Sequence, residues 1–285
     1  MEITSELKSL KVEIKDHIAH VVLNRPEALN SMNIDFWREF HDVIAQIDAQ
    51  AEARVIVLSS TGKHFCAGMD LAVFSNPKAL PNKGDPARMA ENLRRLVLDL
   101  QEVFNVLEKA RMPVLSAIQG GCIGGAVDMV CATDSRYCTE DAFFTIKETQ
   151  IGMTADLGTL QRFPKLVPEG IARELAYTGR KFSAQEAKDM GFVNRVFESQ
   201  DALLEGVMEI ARQIAEQSPM AVAGCKEMIN FSRDHSVEDS LKYMATWQSG
   251  MFRPNDMMKS FAASAQKKPA DFEPILPKKP LFSDL

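Results

Sequence analysis

The segment PVLSAIQGGCIGGAVDMVCATDSRYCTE, which runs from Pro113 to Glu140, decides the fold class of this chain. An apolar run leads into a glycine-rich turn, then a short apolar segment typical of a helix, then a second run typical of a strand. Strand, turn, helix and strand in this order predict a right-handed parallel β–α–β unit. A helix in such a unit is covered on most sides, which explains its low charge. Its single carboxylate, Asp128, is therefore unexpected and needs an explanation.

Strand and helix patterns continue on both sides of this unit. KVEIKDHIAHVVLNRP alternates apolar and polar residues before a proline and predicts a hairpin, and ARVIVLSS predicts a buried strand. Between them, apolar residues from Phe36 to Ile47 recur on one helix face, for which Asn33 is a suitable N-cap. An irregular stretch from Pro77 to Pro86 predicts a loop. The apolar stripe from Met89 to Leu107 then predicts a long helix.

Beyond about residue 168 the pattern is mainly helical, with FVNRVF as a possible strand. We therefore predict an α/β core over residues 1–197 and a helical C-terminal region over residues 198–285. The length of 285 residues fits one large domain, or a core domain with an appendage. A core of this size needs no disulfides for stability.

The composition limits the possible partners and the compartment. The formal net charge is -6 and no basic patch occurs, so the sequence predicts no nucleic-acid partner. No run approaches the roughly 18 apolar residues of a membrane span, so no membrane partner is predicted either. The five cysteines include no CxxC pair, which predicts free thiols in a reducing compartment. Because the first residues match no leader pattern, we predict a cytoplasmic location.

Two loops can deliver backbone N–H groups to a ligand. The first is HFCAGMD, His64 to Asp70, and the second is GGCIGGAVD, which ends at Asp128. Glycine at the end of a strand allows close approach of the main chain, and a helix that begins there directs unpaired N–H groups at an anion. Such groups stabilise an oxyanion. A tight structural connection is the ordinary alternative, and a GxGxxG-type nucleotide site with Glu140 as its acidic partner is another.

Three carboxylates are candidates for proton transfer. Asp128 lies one helical turn after Gly125 among uncharged neighbours, although a buried aspartate bonded to the backbone is an equal alternative. Glu148 shares strand parity with Phe144, which places it on the apolar face unless the chain has already turned into solvent. Asp156 precedes a helix-like run and suits an N-cap, a role that does not exclude catalysis.

Other kinds of chemistry lack support in the sequence. GxSxG and HExxH are absent, and no serine or cysteine has an assignable base. His17 and His20 are three residues apart in a predicted strand and therefore face opposite sides. The sequence thus predicts no metal site.

Several segments resemble the crotonase (enoyl-CoA hydratase/isomerase) superfamily. They are NRPEALNSMN, FCAGMDL, the block from Pro113 to Phe144, IKETQIGMTADLGTLQRFPKLV and GFVNRVF, in the expected order over most of residues 10–265. VDMVCATDSRYCTEDAFF, ADLGTLQRFPK and SRDHSVEDSLKYMATW are most similar to the dienoyl-CoA isomerase branch. Aspartate, glutamate and aspartate at positions 128, 148 and 156 form the pattern of that branch, whereas hydratases usually have glutamate at the first two places.

The resemblance implies a fold and an assembly. The fold is α/β, a spiral core of repeated β–β–α units over residues 1–197. A helical trimerisation region over residues 198–285 follows, and homotrimers or homohexamers are usual.

The resemblance also implies the site residues. The oxyanion hole would consist of the N–H groups of Met69 and Gly125. The stretch that holds Ala67, Met69 and Asp70 would contact the coenzyme A arm of the substrate. The catalytic acids would be the three carboxylates introduced above.

The implied reaction moves the double bonds of a 3,5-dienoyl-CoA thioester to the 2,4 positions, in fatty acid β-oxidation. We expect Asp156 to act as the base at C2 and Glu148 as the proton donor at C6, with Asp128 in support; the first two roles could be exchanged. Coenzyme A is part of the substrate, and no metal or redox cofactor is expected. The alternatives are an enoyl-CoA hydratase and a non-catalytic acyl-CoA-binding member of the superfamily.

Overall fold

The computed structural model describes residues 7–75 and 84–279. Its strands are β1 (Leu10–Lys15), β2 (Ile18–Leu23), β3 (Val55–Ser60), β4 (Val114–Ile118), β5 (Gly121–Ile123), β6 (Ser135–Thr139), β7 (Phe143–Thr145), β8 (Phe182–Ser183) and β9 (Arg195–Phe197). Its helices are α1 (Ile34–Gln50), α2 (Leu71–Phe74), α3 (Pro86–Lys109), α4 (Gly125–Cys131), α5 (Thr159–Leu166), α6 (Glu169–Thr178), α7 (Ala184–Asp189), α8 (Gln200–Ala215), α9 (Pro219–Ser232), α10 (Val237–Met251) and α11 (Pro254–Ala265). Of the predicted loop from Pro77 to Pro86, residues 76–83 lie outside the described residues.

The main sheet has the strand order β1-β2-β3-β4-β6-β9. The predicted hairpin is confirmed: β1 and β2 are antiparallel, and Asp16 and His17 turn the chain with the two positive φ angles that a tight hairpin requires. The remaining neighbours are parallel. From β2 to β9 each strand is added on the same side, so the order never reverses. Among the described strands, this sheet therefore has no switch point of the kind at which doubly wound folds bind dinucleotides.

A smaller second sheet supplies the second strand of each repeated β–β–α unit in the core. It has the order β5-β7-β8, with β5 and β7 parallel. The predicted β–α–β unit is confirmed by the parallel pairing of β4 and β6, but the short strand β5 inside the glycine turn was not predicted. The orders β4–β5–α4 and β6–β7–α5 are successive β–β–α units, as the fold prediction requires.

Apolar packing covers both faces of the main sheet. On one face, α1 and α3 pack over it, and Asn33 caps α1 as predicted by accepting a hydrogen bond from the Phe36 N–H at 2.9 Å. On the other face, α8 packs through Leu203 and Val207 against β3 and β4. The described part of the chain has no helix with the length and apolar character of a membrane span. The division at residue 197 stays a prediction.

Candidate active site

The two glycine loops meet at the end of the small sheet. Cys66 in the first loop and Cys122 in the second form a parallel bridge: the Cys66 N–H donates to the Gly121 carbonyl at 3.1 Å, and the Ile123 N–H donates to the Cys66 carbonyl at 3.1 Å. Gly68 has a φ of +84°, and a Cβ there would lie 2.7 Å from the Ile123 carbonyl oxygen. Only glycine permits this approach at position 68.

The predicted oxyanion groups lie in these two loops. Gly125 is the first residue of α4, so its N–H has no partner within the helix. Met69 and Met32 form a parallel bridge whose two hydrogen bonds do not involve the Met69 N–H. The Met32 N–H donates to the Gly68 carbonyl, and the Asp70 N–H donates to the Met32 carbonyl. Within residues 7–75 and 84–279, neither the Met69 nor the Gly125 N–H donates a hydrogen bond to the protein. Both remain available to an anionic oxygen.

Asp128 is almost completely buried, with 1% of its surface exposed. Its carboxylate accepts a hydrogen bond of 2.6 Å from the N–H of Thr159, the first residue of α5. Asp128 therefore caps a helix that begins 31 residues later. The pKa of Asp128 is raised to about 6, mainly by burial and to a smaller extent by the charge of Asp156, while hydrogen bonding to Thr159 acts in the opposite direction. Asp128 therefore has a structural role as a helix cap, and it also interacts electrostatically with a second acid, Asp156.

Glu148 is placed differently from the strand-parity prediction. Strand β7 ends at Thr145, and Glu148 begins a 3-10 turn, so the prediction that it lies on a strand face is wrong. Its carboxylate instead lies against the second loop, because a Cβ on Gly124 would be 3.2 Å from Glu148 Oε1. The other oxygen, Oε2, is buried and has no hydrogen-bond partner among the described residues. Burial, followed by the charge of Asp128, raises the pKa of Glu148 to about 7.

Asp156 is half-buried and does not cap α5. Gly158 is the N-cap residue, and the first N–H of the helix binds Asp128 instead, so the predicted capping role of Asp156 is wrong. The Gln101 side-chain amide fixes this loop by donating to the Asp156 main-chain carbonyl at 2.6 Å. Burial raises the pKa of Asp156, and its charge raises the pKa values of both Asp128 and Glu148. The three acids therefore form one electrostatically coupled cluster.

Replacement of Asp128 by Asn is expected to stabilise the protein at pH 8 by up to about 3 kcal/mol. The folded pKa of about 6 lies above the ordinary 3.8, so the unfolded chain holds fewer protons between these values. Stability therefore falls as pH rises through this window, and the Asp128 contribution is fully unfavourable above it. Asparagine keeps an acceptor for Thr159 without a charge. Urea denaturation at pH 8 and pH 4 checks this, with the exposed Asp42→Asn as control; equal changes at both pH values would contradict it.

Asp70 has structural partners that the sequence did not reveal. It caps α2 by accepting a 3.0 Å hydrogen bond from the Ala72 N–H, accepts another of 2.9 Å from Ser31 Oγ, and pairs with Arg25 at 3.4 Å. The Ala72 bond is the largest cause that holds the pKa of Asp70 below its ordinary value. Ala67 is held by the bond from its N–H to the Leu29 carbonyl at 3.0 Å. Contact of this stretch with coenzyme A stays a prediction.

Arg25 and Ser31 are the site-proximal residues that sequence analysis missed. Both lie in NRPEALNSMN, which the family resemblance already marked, but Arg25 meets Asp70 across 45 residues of chain. Arg25 also donates to the Ser31 carbonyl at 2.7 Å. In the described ranges, no group of three or more His, Cys, Asp or Glu residues is arranged to hold a metal ion.

Comparison with known proteins shows which family the chain is similar to. A family model described as enoyl-CoA hydratase/isomerase matches residues 13–274. The chain is 46% identical to the mitochondrial Delta(3,5)-Delta(2,4)-dienoyl-CoA isomerase of Mus musculus, over 88% of this chain and 77% of that protein. It is 42% identical to the peroxisomal protein of the same name in Arabidopsis thaliana, over 95% of this chain and 98% of that protein. Its fold is similar to that of an enoyl-CoA hydratase from Bacillus anthracis, with a TM-score of 0.81, 30% identity and coverage of 95% and 100%.

These relatives correct the predicted location. The cytoplasmic prediction is wrong, because the similar proteins of mouse and Arabidopsis are mitochondrial and peroxisomal. Free cysteines distinguish reducing from oxidising compartments but do not distinguish one reducing compartment from another.

Proposed function

The chain belongs to the enoyl-CoA hydratase/isomerase family, and on that premise we propose that it converts 3,5-dienoyl-CoA into 2,4-dienoyl-CoA in fatty acid β-oxidation. It is an enzyme of the dienoyl-CoA isomerase type. The observation that carries the proposal is the coupled cluster of Asp128, Glu148 and Asp156 beside two backbone N–H groups without protein partners among the described residues.

The reaction needs a site for negative charge. A proton leaves C2 and another arrives at C6, and the dienolate between these events carries much of its charge on the thioester oxygen. We assign the stabilisation of that oxygen to the N–H groups of Met69 and Gly125. Each such donor contributes roughly 3 kcal/mol in comparable sites.

The reaction also needs two proton-transfer groups, because C2 and C6 lie about 5 Å apart in an extended diene. We assign Asp156 as the base at C2 and Glu148 as the donor at C6. A pKa of about 7 supports the second role, since a sizeable fraction of Glu148 then carries a proton at neutral pH. The position of Glu148 beside Gly124 supports the exchanged assignment, in which Glu148 serves C2 next to the oxyanion site. Asp128 supports the pair by raising the pKa of Glu148.

A side-by-side assay on three thioesters tests the proposed function. We expect turnover of 3,5-dienoyl-CoA, with rising absorbance from the extended conjugation, well above turnover of 2-enoyl- and 3-enoyl-CoA. Faster hydration of 2-enoyl-CoA would favour the hydratase alternative, which the Bacillus anthracis neighbour makes worth testing. Binding of all three without turnover would indicate a non-catalytic acyl-CoA-binding protein.

The substrate brings its own coenzyme A, and we propose no further cofactor. The chemistry is proton transfer with charge stabilisation, for which carboxylates and backbone N–H groups suffice. We further propose that the stretch with Ala67, Met69 and Asp70 contacts the coenzyme A arm, since it belongs to the loop that carries the Met69 N–H assigned to the thioester oxygen.

We propose a homotrimer or homohexamer assembled through the C-terminal helices. Helices α10 and α11 leave large apolar side chains exposed: Val237 77%, Leu241 65%, Met258 60% and Phe261 61%. Several large apolar side chains left exposed on neighbouring segments of the chain are typical of a subunit interface. Light scattering should give three or six times the chain mass of 31.7 kDa. A mass of one chain would overturn this assembly.

A further inference from the structure

His64 joins the two oxyanion loops through its side chain. It lies five residues before Met69, at the base of the first loop, and its Nδ1 accepts a 2.9 Å hydrogen bond from the N–H of Gly121. Gly121 opens β5, four residues before Gly125 in the second loop. One side chain therefore connects the segments that carry the two N–H groups assigned to the oxyanion.

The surrounding backbone shows that the two loops are held in close register. The Phe65 N–H donates to the Gln119 carbonyl at 2.8 Å, next to the Cys66–Gly121 bond. Gly120 has a φ of +54°, and a Cβ there would overlap the Lys63 carbonyl and lie 2.7 Å from His64 Nδ1. A side chain at position 120 would therefore not fit between the two loops. The distance between the loops depends on the groups that meet here.

The direction of the hydrogen bond fixes the protonation state of the ring. Because the Gly121 N–H can only donate, His64 Nδ1 must be an acceptor, and the proton of the neutral ring lies on Nε2. Protonation of Nδ1 would remove the acceptor and place two hydrogens against each other. The bond thus exists only while His64 is neutral.

The groups around His64 favour the neutral ring. Burial, followed by the charge of Lys63, lowers the pKa of His64, with a smaller contribution from Lys181, while Asp141 acts in the opposite direction. The His64 and Phe143 rings pack nearly perpendicular to each other, with their centroids 5.9 Å apart. Since the pKa is lowered, the bond is present at neutral pH and is lost when the pH falls through that lowered value.

We propose that His64 is a positioning residue, which sets the spacing of the Met69 and Gly125 N–H groups through the hydrogen bond that its neutral ring accepts from Gly121. This inference rests on the proposed function, because it assigns both N–H groups to the same thioester oxygen. Its effect is exerted through the backbone, and His64 need not touch the substrate.

Two substitutions separate this role from simple structural support. His64→Ala removes the acceptor, whereas His64→Asn places Oδ1 near the position of Nδ1 and accepts the same bond without titrating. At pH 8 we expect His64→Ala to lower kcat for 3,5-dienoyl-CoA about tenfold, the equivalent of one ordinary hydrogen bond, with KM changed less than about threefold. His64→Asn should restore most of kcat. The exposed His235→Ala is the matched control and should leave kcat unchanged.

Two further measurements do not depend on turnover. Long-range proton–nitrogen NMR of the wild type should show the Nε2–H tautomer of His64 at pH 8. Binding of acetoacetyl-CoA, which can bind as its enolate, should weaken about tenfold in His64→Ala and recover in His64→Asn. If the wild type fails to isomerise the diene, the proposed function fails while these readouts still test His64. The Nδ1–H tautomer, unchanged kcat in His64→Ala, or a stable His64→Asn that rescues nothing would overturn the inference.

Discussion

Asp156→Asn is expected to lower kcat for 3,5-dienoyl-CoA about 10³-fold, within the range that removal of a general acid or base produces. The amide has nearly the shape of the carboxylate but cannot take a proton from carbon. The fold should survive, because Gln101 binds the main-chain carbonyl of Asp156 and the first N–H of α5 binds Asp128. Loss of one negative charge from the coupled acids should leave the melting temperature unchanged or raise it.

Deuterium exchange separates the roles of the two acids. Exchange at C2 of the substrate in D2O needs only the base, so Asp156→Asn should abolish it, whereas Glu148→Gln should retain it while blocking isomerisation. The opposite pattern would assign Glu148 to C2. Asp42→Asn, an exposed carboxylate outside the cluster, should keep full activity. An Asp156→Asn enzyme within threefold of wild-type kcat would rule out this acid as a proton-transfer group.

Gly124→Ala is expected to lower kcat about 10²-fold by disturbing the oxyanion site and Glu148 together. Gly124 has φ 55° and ψ -124°, a conformation open in practice only to glycine, and it directly precedes the N–H of Gly125. A Cβ there would also lie 3.2 Å from Glu148 Oε1. The main chain and the carboxylate must therefore both shift.

Gly191→Ala is the matched control for this substitution. Gly191 also has a positive φ, of +82°, but an added Cβ would meet no atom within 4 Å. Gly191→Ala should lose of the order of 1 kcal/mol of stability in thermal or urea unfolding, and Gly124→Ala should lose more, because its backbone conformation is open in practice only to glycine. Only Gly124→Ala should lose activity. Equal kcat in the two variants would show that the turn before α4 does not shape the site.

The sequence by itself determined the elements of the fold. Alternation predicted the hairpin of β1 and β2, the spacing from Phe36 to Ile47 predicted α1, and the segment from Pro113 to Glu140 predicted the parallel unit of β4, α4 and β6. These features depend on residues close in the chain, so local patterns record them. The three-residue strand β5 was missed because it is too short to show any period.

The sequence also named candidate residues for the site, but not what each of them contacts. Asp128, Glu148 and Asp156 were named from the chain and from a family resemblance, and the structure shows that they are coupled. Only the tertiary structure shows that Asp128, and not Asp156, caps α5. It also shows that Glu148 lies against Gly124 and not on a strand face.

The physical reason is the range of the interactions involved. The bond from Thr159 to Asp128 spans 31 residues, that from Gly121 to His64 spans 57, and that from Gln101 to Asp156 spans 55. Each depends on how successive turns of the core stack, which no local period encodes. The sequence therefore determined the elements and the chemical groups of this protein, and the stacking of those elements decided their partners, their burial and their pKa values.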